Sequence, residues 1–471
     1  MKPKFLFVIL GLITFVAAFL RLYQFEGFVT FLGDQGRDAI VFMRMMRFEH
    51  FPLVGASSSV GHVLLGPFYY YYIAPWIALT GFSPVGPALG VALLSTLLPI
   101  FTFFLTRKYV GAVYALSLAF VMGSSHSLIW LSRFSWNPNL IPVFIVIWLL
   151  LWFESLRSRG WIHYLLSGLL LGAIVQMHYL TLVLGLPIVI TFIVAHVLKK
   201  SPVMQSVILG LSFALGFVIA ISPLIIFDLR HQFVNTNAFI RLFSESANTS
   251  GGGLSYMFDE TAKFALLTPF ASQIMLSTTI LAALLALYRR HALALTLLIF
   301  FVTSLLSSTL FKGVVYMHYI AFLIVIWYLM VGVTASLIDH KITRKIVIVI
   351  VLIFAYYQIP HYWFLREEPN HQIRMSRKIA ESIMPRITKE KYQITGLPDK
   401  FGDSTYRYWL EKWGKTPVAK DSLDRGDELF VACQSPCRVI GDPQWDIAYF
   451  APTKIVETWQ SEGVTLYKLI R

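Results

Sequence analysis

The chain has little charge, few acids and almost no cysteine. Asp, Glu, Lys and Arg make up 14% of its 471 residues, and 25 acidic side chains face 39 basic ones. Soluble globular domains carry about 25% charged residues. With 57% hydrophobic residues and a mean hydropathy of +0.67, the scarcity of charge excludes an ordinary soluble globule. Cys433 and Cys437 cannot supply four sulfurs to a structural zinc site. They read either as two thiols or as a local disulfide clip in an oxidising compartment, where so short a loop would stabilise little. No Walker loop, dinucleotide fingerprint, HExxH or nucleophile elbow occurs, so no motif points to nucleotide, zinc-protease or serine-hydrolase chemistry. Heptads, solenoid repeats and low-complexity stretches are missing too.

What the sequence does have is apolar runs of about 17–22 residues, the length a helix needs to cross a bilayer. In hydrocarbon every backbone polar group must be satisfied internally, so the runs read as helices. Spans at 5–22, 86–106, 110–128, 138–154, 161–178, 180–198, 203–221, 272–288, 292–310, 317–338 and 345–360 give about eleven crossings. The first run, "FLFVILGLITFVAAFL", follows Lys2 and Lys4 and lacks a small-x-small cleavage site, so it reads as an anchor rather than a signal peptide.

With a cytoplasmic N-terminus, the inner connections collect Lys2, Lys4, Arg107, Lys108, Arg157, Arg159, Lys199, Lys200, Arg289, Arg290, Lys341, Arg344 and Lys345 against Glu154 and Asp339 alone. Basic residues resist translocation, and every boundary agrees with this one orientation in the cell membrane. The net charge of +14 is therefore a topology signal. It implies membrane lipids as partners and gives no reason to expect nucleic acid.

The inner connections are short, whereas two outer ones, 23–85 and 222–271, are long enough to carry function. "GHVLLGPFYYYYIAPWIALTGFSP" is apolar, but a crossing there would invert every later boundary. It reads instead as a helix in the outer interface, interrupted near Pro67 and Pro75. The sequence thus predicts an all-α polytopic membrane unit over 1–360 and a small soluble extracytoplasmic α/β domain over 361–471. In that tail "ELFVACQ", "KIVETWQ" and "VTLYKLI" read as strands, the last two forming a hairpin. "RMSRKIAESIM" and "STYRYWLEKWG" read as amphipathic helices.

The outer segments hold the candidate chemistry. "FLGDQGRDAI" places Asp34 and Asp38 on one helical face with Arg37 beside them. Asp34, at the loop start under an aromatic segment, is the candidate base, with burial expected to raise its pKa. Asp38 reads as well as a helix-dipole acid. His62 precedes the tyrosine run and is a candidate to face the same pocket as Asp34. "RFSWNPN" carries Arg133, Asn137 and Asn139, and turn and cap chemistry is the plainer role for both asparagines. His178, Arg230, His231, Lys312 and His318 are sparse cations at outer span ends, individually ordinary interfacial side chains. Together they suit a phosphate at headgroup depth. No cofactor is indicated. A divalent cation shared by Asp34 and Asp38 lacks further ligands.

With these residues in view, the chain resembles the GT-C superfamily of lipid-dependent glycosyltransferases, especially bacterial relatives of protein O-mannosyltransferases and aminoarabinose transferases. The resemblance rests on the order and sidedness of "GDQGRDA", "GHVLLGPFYYYY" in place of HPPLYY, an arginine at the third-span exit, basic later loops and a soluble tail. Asp34 matches the family's first-loop aspartate, and Gln35 stands where the family has glutamate. The resemblance implies transfer of a hexosyl or pentosyl group from a polyprenyl-phosphate-linked sugar to an acceptor on the outer face, with inversion. Asp34 would be the general base, and Arg230, His231 or Lys312 would hold the leaving phosphate. The competing class is a transporter or flippase of a lipid-linked glycan. Such proteins place ionisable residues near the midplane, whereas this chain keeps its charges at the rim.

Overall fold

The computed structural model describes residues 3–58, 63–246, 253–311, 315–398, 402–420 and 422–471. Every one of the eleven apolar runs is helical. Among the described residues eight helices are long and apolar enough to cross a membrane, or nine with a bent pair counted as one. The bent pair, Ala112–Ser124 and His126–Ser132, turns by 54° at Ser125. The two remaining runs are the 17-residue helices Trp161–Met177 and Ala292–Ser308.

Two boundaries differ from expectation for physical reasons. The run from 203 does not stop at 221 but continues as one 28-residue helix, Val203–Arg230, through Pro223. The second long connection is also largely helical, in Val234–Ser246 and Leu254–Leu266. Asp228 ends the long helix, its carboxylate accepting from the backbone N–H groups of Asn235 and Thr236 at 2.8 and 3.0 Å. The tyrosine-rich segment forms Phe68–Leu79, whose 12 residues are about 18 Å long and too short to cross.

Helices touch closely where side chains vanish. A Cβ on Gly168 would lie 2.0 Å from the Phe213 carbonyl oxygen, and one on Gly216 would lie 2.0 Å from that of Leu165. Small residues at such contacts let backbones of Trp161–Met177 and Val203–Arg230 approach, which drives association inside lipid.

The basic connections meet one another at one end. Lys108 pairs with Glu154, Lys199 donates to the Leu156 carbonyl at 2.6 Å, and Tyr114 reaches Asp339, itself paired with Arg344.

The tail builds a four-stranded sheet of β1 (Tyr392–Leu397), β2 (Glu428–Cys433), β3 (Lys454–Ser461) and β4 (Val464–Ile470) in the order β1-β2-β4-β3. β1 runs parallel to β2, and the expected hairpin β3–β4 is present. The helices Gln372–Ile383 and Ser404–Lys412 match the amphipathic patterns. β1 and the short helix Trp445–Phe450 were not anticipated. Cys433 and Cys437 form a disulfide.

Ser404–Lys412 lies directly on the first-loop helix Gly33–Met46. A Cβ on Gly36 would be 2.5 Å from the Thr405 amide nitrogen, so only glycine permits this approach. Arg44 forks onto Glu411 at 2.6 and 2.8 Å, and Tyr408 and Lys412 both donate to the Phe82 carbonyl at 2.6 Å. The tail therefore clamps the helix that carries Asp34.

Candidate active site

Asp34 enters the structure in the first turn of Gly33–Met46. Gln35 fixes that turn, its carboxamide oxygen accepting from the Leu32 N–H at 3.1 Å while its Nε2 donates to the Ser135 carbonyl at 3.3 Å. Helical spacing puts Asp34 and Asp38 on one face, and Arg37 reaches both. Its Nη1 donates to Asp34 Oδ1 at 2.9 Å, and its Nε and Nη2 donate to Asp38 Oδ1 at 3.0 and 2.9 Å. A shared metal ion would need the place that this guanidinium takes. Among the described residues no group of three His, Cys, Asp or Glu is placed to hold a metal.

The burial expected of Asp34 falls instead on Asp38. Asp34 is 48% exposed and Asp38 only 1%. Asp38 lies against Phe68–Leu79, where Tyr70 donates to its Oδ1 at 2.7 Å and its Oδ2 stays without a partner. Burial pushes the Asp38 carboxyl above the ordinary range, against the pull of Arg37 and Tyr70. Asp38 thus anchors Arg37, and Asp34 presents its carboxylate at the edge.

That edge opens on a cavity of about 350 Å³ lined by Asp34, Arg37, Ser57, Ser58, Trp136, Asn137, His178, Tyr179, His318 and Tyr319. Apart from Ser307 the rest of its lining is apolar, with Leu180, Leu182, Val183 and Leu186 from one span, Leu310 and Phe311 just past the end of Ala292–Ser308, and Phe239 from Val234–Ser246. Leu182 and Leu186 are exposed, so this wall reaches the surface that a bilayer would cover.

Of the ten candidate residues, the cavity joins Asp34, Asn137, His178 and His318, with Asp38 behind Arg37. His178 is not a cation here. Its Nδ1 accepts from the Leu180 N–H at 3.2 Å, so that nitrogen carries no proton and the ring is neutral. His318 is buried, with its ring 4.3 Å from that of Trp136.

Arg133 does not line the cavity. It is buried and donates to the Leu20 and Tyr23 carbonyls at 2.9 and 2.7 Å, with its guanidinium 4.0 Å from the Phe364 ring centre. It caps the C-terminal end of the first helix, a structural duty. Arg21, which the sequence reading passed over, does the same at the bend, donating to the Gly123 and Ala17 carbonyls at 2.8 and 3.1 Å.

Arg230 and His231 are exposed at the end of Val203–Arg230 and are not among the cavity-lining residues. The His231 Nδ1 is 2.8 Å from the Phe227 carbonyl oxygen, and its ring stacks on Phe227. His62 and Lys312 lie outside the described residues, as does the sequon-like "NTS" at 248–250. Arg37, Trp136, Tyr179 and Tyr319 are site residues that the sequence reading did not assign. Only Arg37 carried a signal, its spacing between two acids.

No protein-family model matches the sequence, and no curated protein matches it. Solved structures do match. ArnT from Cupriavidus metallidurans bound to undecaprenyl phosphate aligns with a TM-score of 0.64 at 12% identity, covering 99% of this chain and 98% of that one. The oligosaccharyltransferase AglB from Archaeoglobus fulgidus, in complex with an inhibitory peptide and a dolichol-phosphate, aligns at 0.56 and 12% identity, covering 91% and 69%. The chain therefore shares its fold with these two structures, in keeping with the fold that its sequence resemblance implied.

Proposed function

We propose that the chain is an integral-membrane glycosyltransferase that moves a sugar from a polyprenyl-phosphate donor to an acceptor at the outer face of the cell membrane. The observation that carries this reading is the cavity itself. It is lined by Asp34 and Arg37 together with an apolar wall whose Leu182 and Leu186 are exposed. It lies in a fold shared with an ArnT that binds undecaprenyl phosphate.

The chemistry follows from these parts. An acceptor O–H or N–H attacks the anomeric carbon from the face opposite the phosphate. Asp34 takes the acceptor proton as the new bond forms, and the bond from carbon to phosphate oxygen breaks with its electron pair on the phosphate. One such displacement inverts the anomeric centre. The leaving phosphate needs a cation. Among the described lining residues Arg37 is the one Lys or Arg, held in place by Asp38, and Lys312 is the second candidate. Arg37 presents a planar fork that suits phosphate oxygens.

The test uses the purified full-length protein in nanodiscs with a radiolabelled polyprenyl-phosphate sugar and an acceptor-bearing membrane extract. Transfer by the wild type and its loss in Asp34→Asn, with donor binding retained, is the expected result. Wild-type turnover by Asp34→Asn removes Asp34 as the base. Movement of the intact lipid-linked sugar across the bilayer without cleavage would select the flippase class.

A further inference from the structure

Asn137 is the polar group of this cavity that nothing in the protein explains. The residue is 1% exposed and lines the cavity, yet neither its Oδ1 nor its Nδ2 has a hydrogen-bond partner. The cap role expected from "WNPN" is not what it does, because the turn Asn137–Leu140 is entered at Trp136 without a side-chain cap. Asn139, two residues on, does serve the backbone, donating to the Phe134 carbonyl at 2.8 Å. Native proteins seldom bury an amide unpaired, and one beside a cavity calls for a partner that the protein itself does not supply.

The neighbouring groups narrow the ligand. A carboxamide presents an acceptor and a donor side by side. Beside Asn137 runs a ring-lined wall, with Trp136 4.3 Å from His318, His318 5.9 Å from His178, and His178 4.7 Å from Tyr319, all between ring centres. The carboxamide carries no charge of its own, so it suits neutral hydroxyls rather than a charged substituent.

Resting on the glycosyltransferase reading, we propose that Asn137 reads the sugar. Its Oδ1 accepts from one hydroxyl of a neutral glycosyl group and its Nδ2 donates to the adjacent one, while the ring wall supports the sugar face. The site is thereby specified for a sugar that offers two neighbouring hydroxyls at that position rather than a charged substituent.

The experiment measures Kd for the full-length protein in nanodiscs against synthetic polyprenyl phosphates. The probes carry a neutral hexose, each of its monodeoxy forms, or an amino sugar. The wild type is expected to bind the hexose probe and to lose about tenfold on at least one monodeoxy probe, the effect of one hydrogen bond of ordinary strength. Asn137→Ala should bind hexose and monodeoxy probes alike and unfold at the wild-type temperature or above, since no hydrogen bond within the protein is lost. Asn137→Asp should turn the preference towards the amino sugar by about tenfold, as a carboxylate accepts but cannot donate. A purely structural Asn137 would instead show a lowered unfolding temperature in Asn137→Ala and equal losses on every probe. That result, or an Asn137→Ala protein that still discriminates the monodeoxy probes, overturns the assignment alone. Failure of the wild type to bind any of the sugar phosphates overturns the glycosyltransferase reading and this inference with it.

Discussion

The two ends of the helix bundle treat charge in opposite ways. At the end where the basic connections meet, Lys108, Arg157 and Arg344 are 55, 64 and 48% exposed, and their partners Glu154 and Asp339 lie near the surface too. At the cavity end Arg21, Arg133, Asp38 and Asn137 are at most 1% exposed, while Asp34 and Arg37 at the cavity edge are open at 48 and 37%. Exposed pairs contribute little to stability. Burying a charge is expensive unless it is paired and hydrogen-bonded. The basic end therefore carries its charge at the surface, where position along the chain suffices. The cavity end fixes polar groups in place, which only a site or a helix break requires.

The comparison is broken most severely at Asp34. Asp34→Asn keeps the shape and removes the base, so transfer should fall by about a thousandfold while thermal unfolding stays within a degree or two. Initial-rate assays beside unfolding curves check both halves. If the unfolding temperature drops in step with the rate, Asp34 belongs with the structural charges and not with the site.

Arg133→Met should do the opposite. It frees the Leu20 and Tyr23 carbonyls inside the protein, at a cost of about 3 kcal/mol for two buried hydrogen bonds. Turnover per folded molecule should hold. Detergent-resistance and thermal assays would report the instability, and a selective loss of rate would return Arg133 to the site.

Asp38→Asn falls between the two. It removes the charge that holds Arg37 but leaves the shape and the Tyr70 contact, so a rate loss of about tenfold with a modest fall in stability is expected. The split sharpens if Arg37→Lys gives a similar rate loss through weaker donor binding, because an ammonium keeps the charge and loses the fork. Equal stability and equal rate in Asp38→Asn would detach it from both roles.

Much of this contrast was legible in the sequence, and the illegible part has a physical cause. Length and apolarity mark each helical run, and lysines and arginines sort the connections, so the fold and its two ends follow from composition along the chain. "ELFVACQ" is legible as a short continuous apolar run, and the hairpin from its two strands around a turn. β1 is missed because Gln393, Thr395 and Gly396 dilute the apolar content of Tyr392–Leu397, so no apolar run marks it. At the site, spacing on one helix placed Asp34, Arg37 and Asp38 together. Which of the acids is buried depends on Tyr70 and the tail helix Ser404–Lys412, contacts distant in sequence. Asn137 looked like a cap because caps are commoner than ligands, and Arg133 looked like a ligand because the carbonyls it serves lie about 110 residues away.

At the basic end, Glu154→Gln is expected to cost no more than about 1 kcal/mol. Glu154 is 25% exposed, its Lys108 partner is half-exposed, and screening by solvent weakens such pairs. Unfolding in low and high salt measures it, and the variant should be nearest to the wild type in high salt. A loss of several kcal/mol would erase the difference between the two ends.

The smallest effect is expected at Arg230, which tests where the cavity end stops. Arg230 shares the outer rim with the site by sequence, and a phosphate contact there would make Arg230→Ala lose about tenfold in donor use. Its place argues for less. The residue is exposed at the close of Val203–Arg230, Asp228 beside it is committed to Asn235 and Thr236, and the cavity is lined without it. An exposed guanidinium at a bilayer surface keeps its charge in water and its stem on lipid, and a lysine does the same. Arg230→Ala and Arg230→Lys should therefore both stay within about twofold of wild type in donor and acceptor KM. A donor-selective loss of about tenfold that lysine fails to restore would extend the phosphate site beyond the cavity to the end of this helix.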